Sequence, residues 1–202
     1  MAVTFDGRVY LAYGGKVHIF DTNWTETGTL SYDGYIDHIT LGADGSLYAA
    51  DDDENILRFD PNGDLNLTIP QAFTSVKDHS ELDITLAVDG LGNIYALGFF
   101  NNLVLKYSPD GKYIDRFGGD TTHPAEGVDP GRFQAPDTIA IDGYGRIYVS
   151  DIWGIQVFSP DGQYLTFFEI EGVAFGMSFD LDNNLFIASS KPGVIQLSIQ
   201  RP

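Results

Sequence analysis

The chain has 202 residues, 11 Lys and Arg against 29 Asp and Glu for a net charge of −18, and 43% hydrophobic residues, with aromatics making up 13% of the whole. That is too apolar for a disordered acidic tail, and the length suits one domain or at most two. No run approaches the roughly 20 apolar residues of a membrane helix, no signal-peptide pattern opens the chain, and the scattered Lys and Arg exclude nucleic acid as a partner.

The acids are unevenly chosen, with 23 Asp but only 6 Glu, beside 23 Gly and 9 Pro. Asp and Gly belong to turns and Glu to helices, so the negative charge is expected in loops. The absence of Cys excludes disulfides, zinc–thiolate sites and cysteine nucleophiles.

In chain order, five copies of one pattern follow one another: Val3–Tyr32, Ile39–Pro70, Leu86–Gly118, Ile139–Ile170 and Met177–Ser198. The aliphatic residues that precede each central aromatic (Val9, Leu47, Ile94, Ile147, Leu185) are 38, 47, 53 and 38 residues apart, as loop insertions on a repeated scaffold would make them. Each copy reads as four short strands. In the fourth copy these are Ile139–Asp142, Arg146–Ser150, Ile155–Phe158 and Gln163–Ile170, with the period of two that a pleat imposes. Between the third and fourth strands the turns Asp60-Pro61-Asn62-Gly63, Ser108-Pro109-Asp110-Gly111 and Ser159-Pro160-Asp161-Gly162 recur, each behind an aromatic residue. Pro presets φ for such a turn and Gly accepts the positive φ that closes it.

Helical periodicity is missing throughout, and the unit is far shorter than an immunoglobulin-like sandwich. The expected fold is therefore an all-β β-propeller of four-stranded antiparallel blades in a single domain, 1–202, with blades near 1–35, 36–80, 81–120, 136–172 and 173–202. The last copy stops after its third strand.

The pattern IAIDGYGRIYVSD followed by IQVFSPDGQYL, and the linker Phe117–Pro136, resemble NHL repeats and the long connection between NHL blades. Asp51 and Asp151 stand where that family commonly has Asp after the second strand, whereas Tyr13, Gly98 and Ser189 depart from it. The resemblance implies a propeller, usually of six blades. Two expectations follow: a segment of a larger six-bladed ring, with self-association or further blades completing it, or a small five-bladed ring with an incomplete last blade. Among NHL arrays, acidity without a basic patch points to an extracytoplasmic or cell-surface bacterial module.

Propeller chemistry sits on loops at one end of the blades, and three sets of residues are candidates. Phe99, Phe100, Asn101, Asn102, Asp151 and Trp153, on the loops between second and third strands, form a binding surface for stacking or for a protein hot spot. Asp37, Asp83 and Asp137, where one blade joins the next, form a Ca²⁺ site under the alternative reading, of the kind gluconolactonase-like propellers use. His38 and His79 are placed on loops of that joining class, His18 in a strand and His123 in the long insertion; the run Asp51–Glu54 reads as a solvated loop. A Ser80–His79 relay fails because adjacent residues in an extended stretch point apart. Tyr10, Tyr48, Tyr95, Tyr148 and Phe186 share one repeat position and are structural. The expected function is a non-catalytic scaffold that binds a protein or glycan without a cofactor. The alternative is a divalent-cation-dependent hydrolase or lyase, and a plain structural spacer is the third reading.

Overall fold

Nineteen strands make five antiparallel sheets in the computed structural model, which describes residues 1–77, 79–121, 127–191 and 193–199. Blade 1 is β1 (Ala2–Val3), β2 (Val9–Tyr13), β3 (Lys16–Phe20) and β4 (Glu26–Thr29), and blade 2 is β5 (Ile36–Leu41), β6 (Leu47–Asp51), β7 (Ile56–Phe59) and β8 (Leu65–Ile69). After the single helical turn α1 (Thr74–Lys77), blade 3 is β9 (Ile84–Val88), β10 (Ile94–Gly98), β11 (Leu103–Tyr107) and β12 (Tyr113–Gly118). Blade 4 is β13 (Ile139–Ile141), β14 (Ile147–Asp151), β15 (Gly154–Phe158) and β16 (Tyr164–Phe168). Blade 5 has three strands, β17 (Ala174–Phe179), β18 (Asn184–Ser189) and β19 (Gly193–Ser198). In every sheet the strands lie side by side in chain order, so the fold is the expected all-β propeller with five blades, the last with three strands among the described residues.

Local chemistry explains the repeated turns. The carboxylate of Asp21, Asp51, Asp60, Asp89, Asp142 or Asp180 accepts hydrogen bonds from the backbone N–H groups two and four residues on, all at 2.7–3.1 Å. Thr4, Ser108 and Ser159 do the same through a hydroxyl to the fourth residue. The short side chain reaches its own backbone here, which a Glu would overshoot. The third strand also carries the same irregularity in blades 1, 2 and 4, a bulge before Phe20, Phe59 and Phe158 that bends the strand into its turn.

Two compact units are present, residues 1–96 with 107–113, and residues 97–106 with 114–202. In the first, β5 packs beside β2 and β9, and Tyr10, Val17, Ile39, Leu47, Leu57 and Phe59 form a core between the sheet faces of blades 1 and 2. In the second, β13 lies beside β17, and Tyr148, Ile155 and Val157 of blade 4 face Ala174, Leu185 and Ile187 of blade 5. Tyr10, Tyr48, Tyr95 and Tyr148 are all buried, as their shared repeat position predicts, while Phe186 of the last blade is half-buried. Each such ring contributes about 1.5–3 kcal/mol when removed from water.

Candidate functional site

Two groups of loops carry the candidate residues, one in each unit. In the first unit the β2–β3 tip (Gly14, Gly15), the segment Tyr32–Tyr35 and the β6–β7 loop enclose a cleft of about 500 Å³ whose walls include Lys16, Tyr32, Asp33, Tyr35, Asp52 and Asp53. The acid run there divides by role. Asp51 is buried and accepts from Asp53 N (3.1 Å), Asn55 N (2.7 Å), Asn55 Nδ2 (2.8 Å) and the Tyr32 hydroxyl. Removal from water, with the Asp51 charge beside it, pushes the Tyr32 phenol up to about 12. Glu54, also buried and with φ 64°, accepts from Thr74 N (3.0 Å), Thr74 Oγ1 (3.1 Å) and Glu81 N (3.0 Å), tying the β8–β9 connection to the loop. Asp52 and Asp53 are exposed. The run expected to be a solvated loop is therefore half structural: its two end residues lie under the loop that its two middle residues decorate.

Asp37 and His38 lie within strand β5 and not in a loop, because a bulge between Ile36 and His38 starts the strand early. The Asp37 carboxyl is held above the usual range, first by partial removal from water and then by the charges of Asp52, Asp83 and Asp51. Asp83, just before β9, is raised by partial burial and by Glu81. The structure thus brings Asp37 and Asp83 into each other's field. Asp137 is in the second unit, half-buried, with its N–H on Ser150 O at 3.1 Å. Among the described residues, no group of three or more His, Asp or Glu is placed to hold a metal ion.

His38 accepts from Leu86 N on Nδ1 at 3.2 Å, and burial, with the N-terminal charge second, lowers it to about 4. His79 is exposed on the β8–β9 connection, and His18 stacks on Tyr13 with Nδ1 2.6 Å from Glu26 Oε1. His123 lies outside the described residues.

In the second unit the β10–β11 loop carries Phe99–Asn102. Phe99 is half-buried and Phe100 is 62% exposed, edge-on to it at 5.0 Å, as expected of two bulky neighbours on a tight turn. Asn102, at φ 50°, donates from Nδ2 to Asp120 Oδ1 (2.7 Å) and accepts from Ala135 N on Oδ1 (2.9 Å), so it clamps both ends of the long connection before blade 4. Asn101 sits beside it, half-buried. Asp151 ends strand β14 and is buried, accepting from Trp153 N (2.9 Å) and Gln156 Nε2 (3.3 Å); desolvation raises its carboxyl. Trp153 is half-buried, its Nε1 donating to Gln134 Oε1 at 3.2 Å. Trp153 and Asp151 thus serve as anchors of the loop, and the outward apolar side chains here are Phe100 and Ile152. Gln134 and Gln156 lie outside the residues expected from the sequence, the latter a wholly buried amide in the strand position that blade 2 fills with Leu57.

No family model matches the chain, and no curated protein matches it. Solved structures do. A protein of unknown function from Bacteroides caccae superposes with a TM-score of 0.73 at 13% identity, covering 98% of this chain and 76% of that one. A structure assigned as a gluconolactonase gives 0.71 at 16% identity, covering 98% and 74%. BamB from Moraxella catarrhalis gives 0.63 at 16%, covering 100% and 58%. At these identities the likeness carries the fold: the chain is a β-propeller of the kind seen in bacterial proteins with quite different activities. It spans about three quarters of the first two structures and 58% of BamB. Among the described residues no helix is long and apolar enough to cross a membrane.

Proposed function

We propose that the chain is an NHL-type propeller acting as a non-catalytic scaffold, with the loop cleft of the first unit as a recognition surface for a protein partner. The observation that carries this reading is the division of labour among the loop acids. Asp51 and Glu54 are buried and fully engaged in holding the loop, whereas Asp33, Asp52 and Asp53 point outward around the half-exposed Tyr35. A loop fixed from beneath loses little entropy on binding. Carboxylates beside an aromatic face suit the side chain of a Lys or Arg, which gains from both. The test is affinity capture from the source organism with the wild-type chain and a Tyr35→Ala/Asp53→Asn variant of unchanged melting temperature. A partner held by the first and lost by the second supports the reading, and identical capture by both overturns it.

A second reading, a cation-dependent hydrolase or lyase, draws on the paired, upward-shifted carboxylates Asp37 and Asp83, since perturbed acids gather at reactive sites. Melting in CaCl2 against NaCl at matched ionic strength separates the two. A rise specific to calcium that Asp83→Asn abolishes favours the hydrolase or lyase, and coincident curves count against it.

A further inference from the structure

We propose that a pocket between the β5–β6 and β9–β10 turns, at the junction of blades 2 and 3, binds one uncharged sugar residue through adjacent hydroxyls of its ring. The pocket shares no residue with the loop cleft, so either proposal can fail while the other stands.

Two departures from the repeat create the pocket. The pairs Leu41–Leu47, Ile141–Ile147 and Phe179–Leu185 align the turns of blades 2, 4 and 5 residue by residue. This turn opens with Asp89 in blade 3, Asp142 in blade 4 and Asp180 in blade 5, but with Gly42 in blade 2. In blades 3 and 4 the carboxylate also takes the hydroxyl of the buried tyrosine, Tyr95 on Asp89 Oδ2 and Tyr148 on Asp142 Oδ2, both at 3.3 Å. Tyr48 of blade 2 is buried as deeply, with 1% of its surface exposed, yet its hydroxyl finds no acceptor among the described residues. The second departure lies across the junction. Between blades 4 and 5, Asn183 at φ 64° reaches over and accepts from Gly143 N at 2.7 Å. Blade 3 has Gly92 at the position of Asn183, and blade 2 has Ala43 at that of Gly143, so this bridge cannot form.

What opens instead is a cavity of about 200 Å³. Buried Tyr48 and half-buried Arg58 line it on the inside, and exposed Ala43, Leu91 and Pro109 line it on the outside. The guanidinium is fixed, with Nε donating to Asn66 Oδ1 (2.8 Å) and Nη1 to Pro109 O (3.1 Å). Among the described residues no carboxylate pairs with it, whereas Arg146 of blade 4 stands 2.6 Å from Asp142. Burial raises the Tyr48 phenol, against the opposing pull of Arg58 beside it, so the hydroxyl keeps its proton and can donate it.

The polar lining defines the ligand. Tyr48 offers a hydroxyl proton and Arg58 the N–H groups of Nη2. Asp44 supplies acceptors, since its carboxylate takes only Ser46 N (3.0 Å) and Ser46 Oγ (2.9 Å), one bond to each oxygen. Asp89, the remaining charged residue of the lining, is fully engaged by Leu91 N, Asn93 N, Asn93 Nδ2 and Tyr95. A sugar hydroxyl both donates and accepts, so two adjacent ones satisfy Arg58, Tyr48 and Asp44 together. Val88, Leu91 and Pro109 then meet the C–H face of the ring. Charge decides against other small polar ligands. An anion would face Asp44 and Asp89 in a chain of net charge −18, and a cation would face Arg58.

The probes are methyl glucoside, methyl galactoside and methyl mannoside, added to the full chain and followed by backbone amide NMR. At least one is expected to shift the amides of Gly42–Ser46 and Gly90–Gly92 saturably, with a Kd of about 1–10 mM. Gly92→Asn, which installs the side chain that closes the junction of blades 4 and 5, is expected to weaken binding at least about tenfold. Tyr48→Phe is expected to weaken it at least about fivefold and to leave the melting temperature unchanged, because the hydroxyl it removes has no acceptor in the free chain. No saturable shift up to about 100 mM overturns the proposal, as does unchanged binding in either variant. Tighter binding of methyl glucuronide than of all three neutral sugars would assign the pocket to an anion and overturns it as well.

Discussion

His38 couples the first strands of blades 2 and 3 through one hydrogen bond, Leu86 N to Nδ1, and a protonated Nδ1 has no lone pair left to accept it. Burial and the nearby N-terminal charge act in the same direction, lowering the imidazole from 6.5 to about 4. With a folded value below the unfolded one, the stabilising contribution is complete above about pH 6.5 and is lost as pH falls towards about 4, on the order of 3 kcal/mol over that window. Asp37 and Asp83 oppose this trend, because raised carboxyls favour the fold at low pH, but both are exposed and their effect is screened. Urea midpoints at pH 7 and pH 4.5 are therefore expected to differ clearly in the wild type and much less in His38→Gln, which keeps an acceptor and does not titrate. Equal pH dependence in the two would remove His38 from this role. The histidine is visible in the sequence; that it sits in a strand, one bulge away from a loop, is not, because the bulge depends on how β5 meets β6.

At the scale of elements, the long connection between blades 3 and 4 is secured from beneath by blade 4. Gln156 is wholly buried in β15, with Oε1 accepting from Gly131 N (2.9 Å) and Nε2 donating to Arg132 O (2.6 Å) and Asp151 Oδ2 (3.3 Å). Phe133 from the same connection is buried 5.5 Å from Phe158. Gln156→Leu restores the residue that blade 2 has at this position, yet removes the hydrogen bonds to Gly131 N, Arg132 O and Asp151 Oδ2, a cost of about 2–4 kcal/mol. Hydrogen exchange at Gly131 is expected to accelerate in this variant while Ile147–Val149 stays protected; unchanged exchange at Gly131 would show that the connection is held by other contacts. In the sequence Gln156 stands out only as an amide where blades 2 and 5 have Leu57 and Ile195. Its reason lies some 25 residues upstream, where pattern reading does not reach.

For the whole molecule, charge is the dominant fact. Six of the 29 acidic side chains accept backbone hydrogen bonds two and four residues ahead of them, so part of the negative charge is the by-product of turn building. At −18 the folded chain repels itself, and salt screens that repulsion over about 10 Å at 0.1 M. The melting temperature is expected to rise by several degrees between low salt and about 0.3 M NaCl. A fall would mean that attractive ion pairs outweigh the repulsion. This sodium baseline is what a calcium-specific effect must exceed.

The repeat, the strand order and the turn positions were all legible in the residues, because a pleat of period two and an Asx or Pro-Gly turn are dictated within a few residues of chain. The tertiary structure alone decided which polar groups go inside. Asp51, Glu54, Asp151 and Gln156 look like loop or surface residues in one dimension, and become buried hubs only when segments distant in sequence bring them donors and remove the water.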